Sequence, residues 1–188
     1  MSPIHADVLA RRDQLARDFR DAQPFRHVAI DGFLDPAFCR ALLDEFPRFE
    51  DRYALNETGA VGGKAVRMDV REISDTYRAL DRSIQAPEFL DLVSRITGIP
   101  DLLYDPDYIG GGTHENVQGQ GLDPHVDFNY HPGTRWHRRL NLIVYLNPEW
   151  QDAWGGSLEL HSDPRAPDDR VSLVTPLYNR CVIFETTE

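Results

Sequence analysis

Residues 139–147 alternate between apolar and polar side chains, and this alternation is the strongest constraint on the fold of the chain. Successive side chains of a β-strand point to opposite sides, so the even-numbered apolar residues from Leu140 to Leu146 would share one face. Arg139, Asn141 and the other odd-numbered residues would share the opposite, more polar face. The apolar face predicts packing on a core, and the polar face either lines a site or lies in water.

The order of the predicted elements places helices before strands. Short strand-like runs alternate with turns after Pro100, namely "DLLY", "RLNLIVYLN", "GSLEL", "RVSLVTP" and "RCVIFET". Four helical patterns come before them, in residues 7–22 and in "PAFCRALLDEF", "SDTYRALDRSI" and "PEFLDLVSRIT". We therefore expect a single α+β domain over residues 1–188, with a jelly-roll core in 101–188 that is buttressed by helices in 1–100.

Local signals predict where these helices begin and end. Asp35 followed by Pro36, and Ser74 further on, are residue types that start helices. Gly98 is the residue type that most often ends one. In the first helix, the spacing places four apolar residues near one face: Val8, Leu9, Leu15 and Phe19.

Composition and charge narrow the classes of partner. The 188 residues include 20 basic and 31 acidic side chains, and the net charge of −11 argues against nucleic acid and anionic membranes as main partners. The N-terminus has no apolar stretch of a secretory signal, and no segment has the apolar length of a membrane helix, so a cytoplasmic protein is expected. Cys39 and Cys181 match no zinc spacing and are expected to be buried free thiols.

His125 and Asp127 form a His-x-Asp pattern shortly before the alternating strand. On extended backbone, residues i and i+2 point to the same side, so an imidazole nitrogen and a carboxylate oxygen could meet one cation. A second histidine from elsewhere would complete a facial triad of two histidines and one carboxylate, which leaves open positions on Fe(II). The pattern is common by chance, and a solvated turn that contains both residues is the alternative.

The surroundings of this pair carry a resemblance to a known family. The ordered motifs are His125-x-Asp127, then "YLNPEW" at 145–150, then "GGSL" at 155–158. Over about residues 101–188, and more loosely in "PFRHVAIDGFL", the chain resembles the Fe(II)- and 2-oxoglutarate-dependent oxygenases of the prolyl-4-hydroxylase-like group. The resemblance implies a double-stranded β-helix, which is the jelly roll expected above.

The resemblance also implies roles for individual residues. His125 and Asp127 match two iron ligands, and Tyr145 matches a tyrosine whose hydroxyl reaches the far carboxylate of 2-oxoglutarate. Asn141 lies on the same strand face as Tyr145 and is expected to line the cosubstrate pocket. The implied reaction hydroxylates an unactivated C–H bond in a small-molecule or peptidyl substrate, with Fe(II), 2-oxoglutarate and optionally ascorbate. The sequence leaves the substrate and the oligomeric state open.

The chain departs from the family pattern after residue 161. Relatives have a distal histidine on a late strand and, beyond it, an Arg or Lys that binds 2-oxoglutarate, whereas no histidine follows His161 here. We therefore expect a chain without the distal ligand, the basic partner and the last strands, with an exposed sheet edge and poor turnover of 2-oxoglutarate. A truncated reading frame or fragment would explain this.

Three alternatives stay open at this point. The first is a natural protein that has lost catalysis and acts as a non-catalytic jelly-roll binding or interaction domain. The second is that His131 or His161 replaces the distal ligand. The third is a cupin-like metal enzyme without 2-oxoglutarate, which would need further histidines near the pair, and "HVDFNYH" offers only His131.

Overall fold

The computed structural model describes residues 3–56 and 58–186. The helices are α1 (Ala6–Ala10), α2 (Arg12–Asp21), α3 (Pro36–Asp44), α4 (Asp75–Ile84) and α5 (Pro87–Thr97). The strands are β1 (His27–Asp31), β2 (Lys64–Arg67), β3 (Thr113–Asn116), β4 (Leu140–Val144), β5 (Leu158–His161), β6 (Val171–Val174) and β7 (Arg180–Glu185).

The helix ends lie where local chemistry predicts them. The Asp35 carboxylate accepts hydrogen bonds from two backbone N–H groups at the start of α3, and the Ser74 hydroxyl accepts one at the start of α4. Gly98 ends α5 in the left-handed conformation, with φ of 70°. These signals act within one turn of the helix, which is why the sequence is sufficient to locate them.

Two local predictions are wrong. Residues 7–22 form two helices that are separated at Arg11, and Leu9 is 41% exposed while Val8 is buried. Val8 and Leu9 are adjacent in α1 and point about 100° apart around the helix, so only Val8 faces the core. The run "DLLY" forms no strand, because Asp101 has a φ of 55° and Tyr104 donates a hydrogen bond to Asp81 on α4.

The main sheet has the antiparallel order β1-β7-β4, with β7 in the centre. Its register places Leu142 opposite Ile183 and Asn141 opposite Phe184. The even-numbered residues of β4 pack against the helical core, together with Ile30 of β1 and Ile183 of β7. The predicted apolar face of residues 140–146 is therefore confirmed, and the odd-numbered face points away from the helices.

Two two-stranded antiparallel sheets accompany this sheet, of which only β5–β6 is a hairpin. β2 pairs with β3, and β5 pairs with β6. The Ser172 hydroxyl of β6 lies 3.2 Å from Nε2 of His27 on β1, so the β5–β6 hairpin covers part of the face that is opposite the helices. Val182 on that face is fully buried. Helices and sheets are thus layered as an α+β fold, while a complete jelly roll stays a prediction.

The edges of the main sheet are β1 and β4. Within the described residues, β4 pairs only with β7, and its other edge has no neighbouring strand. In the chain, β4 comes after the loop that carries His125 and Asp127. In the part of the chain that the structure describes, no helix combines the length and the apolar character needed to span a bilayer.

Candidate functional site

His125 and Asp127 are brought together by the loop that leads into β4. Nε2 of His125 lies 3.8 Å from Oδ1 of Asp127, which is the separation of a few ångström that the i, i+2 spacing predicts. The His125 side chain is 51% exposed and that of Asp127 is 26% exposed. The pair is open to solvent instead of being enclosed in a cavity, because the loop around it packs loosely and leaves Leu122 and Val126 exposed.

The orientation of the His125 ring is fixed by a backbone contact. Its Nδ1 lies 2.9 Å from the carbonyl oxygen of Asp123. A carbonyl oxygen can only accept, so Nδ1 is the protonated nitrogen of the neutral ring and Nε2 keeps its lone pair. Histidine ligands of metals commonly have their second nitrogen held in this way.

Among the described residues, the side chains that hold the Asp127 carboxylate contact its Oδ2. Its Oδ2 accepts a hydrogen bond of 3.1 Å from the side-chain amide of Asn141 and lies 3.3 Å from a guanidinium nitrogen of Arg138. Its Oδ1 is the oxygen that faces His125. The Arg138 guanidinium also lies over the Phe128 ring, 4.5 Å from its centre.

Tyr145 directly follows β4 and continues its pairing with β7. Its backbone N–H donates to Arg180 and its carbonyl accepts from Asn179, each at 2.9 Å. The alternation along the strand places Tyr145 on the same face as Asn141. Burial raises the pKa of Tyr145 to about 12, the nearby Cys181 adds to the rise, and Arg180 opposes it. The phenol is therefore neutral at physiological pH and able to donate a hydrogen bond.

The C-terminal part of the sequence matches a known family. Residues 112–188 match the sequence model of the 2OG-Fe(II) oxygenase superfamily. The match contains His125, Asp127, Asn141 and Tyr145, and the family uses Fe(II) and 2-oxoglutarate. The resemblance inferred from the three motifs is confirmed.

Two solved structures with a similar fold are prolyl 4-hydroxylases. One from Phytophthora capsici superposes with a TM-score of 0.62 at 16% identity, over 99% of this chain and 59% of that chain. One from Pseudomonas putida superposes with a TM-score of 0.57 at 16% identity, over 100% of this chain and 84% of that chain. This chain thus spans about three fifths of the length of the first relative. No curated protein matches the sequence.

The paired residues fit the divalent cation that the oxygenase superfamily uses. Ligand atoms around such a cation lie about 3.0–3.4 Å apart when the metal–ligand distances are near 2.1 Å. The 3.8 Å between Nε2 and Oδ1 is longer by less than one ångström, so small side-chain rotations would bring both atoms to one ion. A nitrogen lone pair with a carboxylate oxygen is also the donor set of Fe(II) oxygenase sites.

His131 belongs to a different cluster. Its Nδ1 accepts hydrogen bonds from the backbone N–H groups of Gly133 and Thr134, at 3.1 and 3.0 Å. The proton of the neutral ring is therefore on Nε2. That nitrogen is buried and makes no hydrogen bond within the described residues, although carboxylate oxygens of Asp105 and Asp107 lie 3.4 and 3.7 Å from it.

The three residues Asp105, Asp107 and His131 have ligand-type atoms within 4.8 Å of one another. A protonated Nε2 is a donor and offers no lone pair, so this tautomer opposes cation binding. The cluster ties the loop of His131 to residues 105–107. Sequence reasoning missed it, because the participants are far apart in the chain and "DPD" has no specific spacing to a histidine.

His161 is held within its own hairpin. Its Nδ1 lies 2.6 Å from Asp169, and its Nε2 lies 3.2 Å from Glu159. The hydrogen bond to Asp169 raises the pKa of His161, burial opposes the rise, and Glu159 adds to it. Within the described residues, no third His, Cys, Asp or Glu joins His125 and Asp127 at ligand distance, so neither His131 nor His161 completes the site.

Sequence reasoning also missed Arg138. The residue is 14% exposed in its side chain and contacts the candidate ligand Asp127. The adjacent arginines at 138 and 139 were visible before the strand. Only the folded structure shows that Arg138 faces Asp127 while Arg139 contacts Glu185 at 3.0 Å.

Proposed function

We propose that this protein is an Fe(II)- and 2-oxoglutarate-dependent dioxygenase of the prolyl-hydroxylase-like group that hydroxylates an unactivated C–H bond. The observation that supports this most directly is a pair of metal-ligand atoms that face each other. Nε2 of His125 and Oδ1 of Asp127 face each other at 3.8 Å, while Nδ1 and Oδ2 are occupied by protein groups.

In this proposal, the residues of the chain bind and orient. His125 and Asp127 hold Fe(II), which with bound 2-oxoglutarate supplies the oxygen-activating chemistry of the family. The neutral Tyr145 hydroxyl donates a hydrogen bond to the far carboxylate of 2-oxoglutarate, and Asn141 lines the pocket beside it. A hydroxyl that hydrogen-bonds a carboxylate stabilises the bound cosubstrate without bringing a second charge into the site.

Two parts of the proposed site have no assigned residue, namely the third metal ligand and the basic partner of 2-oxoglutarate. The described histidines at 131 and 161 are held elsewhere, by contacts that involve both ring nitrogens. These two histidines therefore supply no third ligand to the pair, and the proposal assigns none among the described residues. Residues 1–188 alone would then bind Fe(II) and 2-oxoglutarate weakly, since both ligation and orientation would be incomplete.

A second candidate is a non-catalytic binding domain with the same fold. The observation that favours it is the half-exposed His125 in a site with two ligands among the described residues. Under this alternative, the pair would hold no metal, and the sheet would serve only as a scaffold for a partner.

Succinate formation from 2-oxoglutarate separates the two candidates. The protein expressed from its full reading frame, with Fe(II) and ascorbate, should form succinate even without the unidentified substrate, although slowly. His125→Ala and Asp127→Ala should abolish this turnover. His137→Ala is the matched control, because His137 lies on the same loop and stacks on Tyr130 with ring centres 5.1 Å apart. Succinate release that is unchanged in His125→Ala, or absent from the full protein, would contradict the proposal.

A further inference from the structure

The two carboxylate oxygens of Asp127 have different surroundings. Oδ2 has two side-chain neighbours, the Asn141 amide at 3.1 Å and the Arg138 guanidinium at 3.3 Å. Oδ1 has neither and faces His125. The carboxylate is therefore held in one rotational state, with a chosen oxygen directed toward the candidate metal position.

We propose that Arg138 is a positioning residue that, with Asn141, restricts Asp127 to binding a metal through Oδ1 alone. This inference rests on the proposed function, since it concerns the same site. A carboxylate binds a cation through one oxygen or through both. Engagement of Oδ2 by a hydrogen bond from Asn141 and by the charge of Arg138 disfavours the second mode and leaves one more position on the metal for other ligands.

The immediate environment of Arg138 supports a fixed orientation. The side chain is only 14% exposed, and its guanidinium rests on the Phe128 ring at 4.5 Å from the ring centre. A side chain between an aromatic face and a carboxylate has little rotational freedom. Arginine suits this position, because its planar group stacks on a ring while its edge donates to an oxygen.

A positive charge beside a metal ligand has a second effect of opposite sign. The guanidinium repels a divalent cation, so its removal should tighten metal binding if charge were its only influence. Loss of positioning should weaken metal binding instead. The two effects respond differently to salt, because about 1 M salt weakens the charge effect, although less for a partly buried side chain than for an exposed one, and leaves the positioning contacts in place.

The test is a titration with Mn(II) at about 1 M salt, with the protein from its full reading frame. Arg138→Met keeps the apolar contact with Phe128 and removes both the donors and the charge. We expect it to raise the Kd for Mn(II) about tenfold. Loss of a group that orients a metal ligand typically lowers metal affinity by about 10- to 100-fold, and this value is at the lower end of that range. Arg139→Met is the matched control, because Arg139 is the next residue and contacts Glu185, which keeps its ion pair with Arg26 at 2.6 Å.

A spectroscopic signature distinguishes positioning from a general loss of stability. The visible absorption of bound Co(II) depends on its ligand geometry, so it should change in Arg138→Met, where Oδ2 is released, and not in Arg139→Met. Arg138→Lys restores one donor and should recover part of the Mn(II) affinity. If Arg138→Met does not fold, Asn141→Ala removes the other donor to Oδ2 and should weaken Mn(II) binding in the same direction.

The outcomes separate this inference from the proposed function. Mn(II) binding by Arg138→Met that is as tight as in the unchanged protein, with the same Co(II) spectrum, would overturn the positioning role and leave the metal site intact. An unchanged protein that binds neither Mn(II) nor Co(II) would overturn the proposed function and this inference together.

Discussion

Asp81 on α4 is the carboxylate whose replacement should cost most in stability. It is 4% exposed and accepts hydrogen bonds from the hydroxyls of Tyr104 and Tyr108, the second at 2.9 Å. Arg71 also donates to it, at 3.2 Å. These contacts hold the segment that continues into Asp105, which in turn contacts His131 on the candidate metal loop.

The magnitude of the loss in Asp81→Asn follows from the two tyrosine contacts. A hydrogen bond to a charged acceptor contributes about 1.5–3 kcal/mol. The amide oxygen of asparagine still accepts hydrogen bonds but more weakly, so only part of this contribution is lost. We expect the free energy of unfolding to fall by about 2 kcal/mol, which lowers the melting temperature by about 4–8 °C for a chain of this size. The contact with Arg71 is not counted, because that guanidinium is exposed.

Urea unfolding followed by far-ultraviolet circular dichroism measures this loss. The matched control is Asp91→Asn, since Asp91 is 63% exposed and forms only an i, i+4 pair with Arg95 at 2.8 Å. Exposed helix pairs of this kind contribute about 0.3–0.5 kcal/mol. If Asp81→Asn cost no more than Asp91→Asn, the inference that buried acceptors hold the segment 104–108 would be refuted.

Three further predictions concern the cosubstrate, pH and the backbone. In the full-frame protein, Tyr145→Phe should raise the KM for 2-oxoglutarate by roughly 10- to 100-fold through loss of a charge-assisted hydrogen bond; an unchanged KM would remove Tyr145 from the site. Because the pKa of His161 is raised in the folded state, chiefly by Asp169, its stabilising contribution should be complete below about pH 6.5 and lost as the pH rises through the folded value. Thermal melts of His161→Gln across this range should therefore differ from the unchanged protein at low pH and converge at high pH, and a constant difference would contradict this. Gly112→Ala should lose about 2–4 kcal/mol in urea unfolding, because a Cβ there would lie 2.0 Å from the carbonyl oxygen of Arg67. Gly119→Ala is its control, with a similar positive φ and no atom within 4 Å, and equal losses in the two variants would contradict the steric argument.

Features that depend on nearby residues were predictable from the sequence. The caps at Asp35 and Ser74 act within one helical turn, and the alternation in residues 139–147 follows from strand geometry alone. The approach of His125 to Asp127 also needs only extended backbone between neighbours. For these elements, the local chain geometry dictates the outcome, and tertiary packing agrees with it.

Features that depend on distant contacts were not predictable. "DLLY" has strand-like composition, but the contact between Tyr104 and Asp81 holds it as a loop. His131 was considered as a replacement ligand, and its backbone contacts with Gly133 and Thr134 fix the tautomer that opposes this. No spacing rule identifies such partners, since they are selected by how the loops pack.

The orientation of Arg138 toward Asp127 illustrates the same limit within the site. Arg138 and Arg139 are adjacent and chemically identical, yet they contact different carboxylates, Asp127 and Glu185. On a strand, neighbours point to opposite sides. Alternation alone would put Arg139 on the face of Asn141, yet Arg138 is the residue that lies beside Asp127 with Asn141. The alternation therefore does not extend to residues 138 and 139, which precede β4.

A metal titration of matched alanine variants tests the central claim most directly. Mn(II) binding to the full-frame protein is measured by electron paramagnetic resonance, together with His125→Ala, Asp127→Ala and His131→Ala. We predict one bound Mn(II) that is lost in His125→Ala and Asp127→Ala and retained in His131→Ala, because Nδ1 of His131 accepts two backbone hydrogen bonds and the proton of its neutral ring is therefore on Nε2. Loss of the ion in His131→Ala, with full binding in His125→Ala, would place the metal in the other cluster and contradict the proposed site.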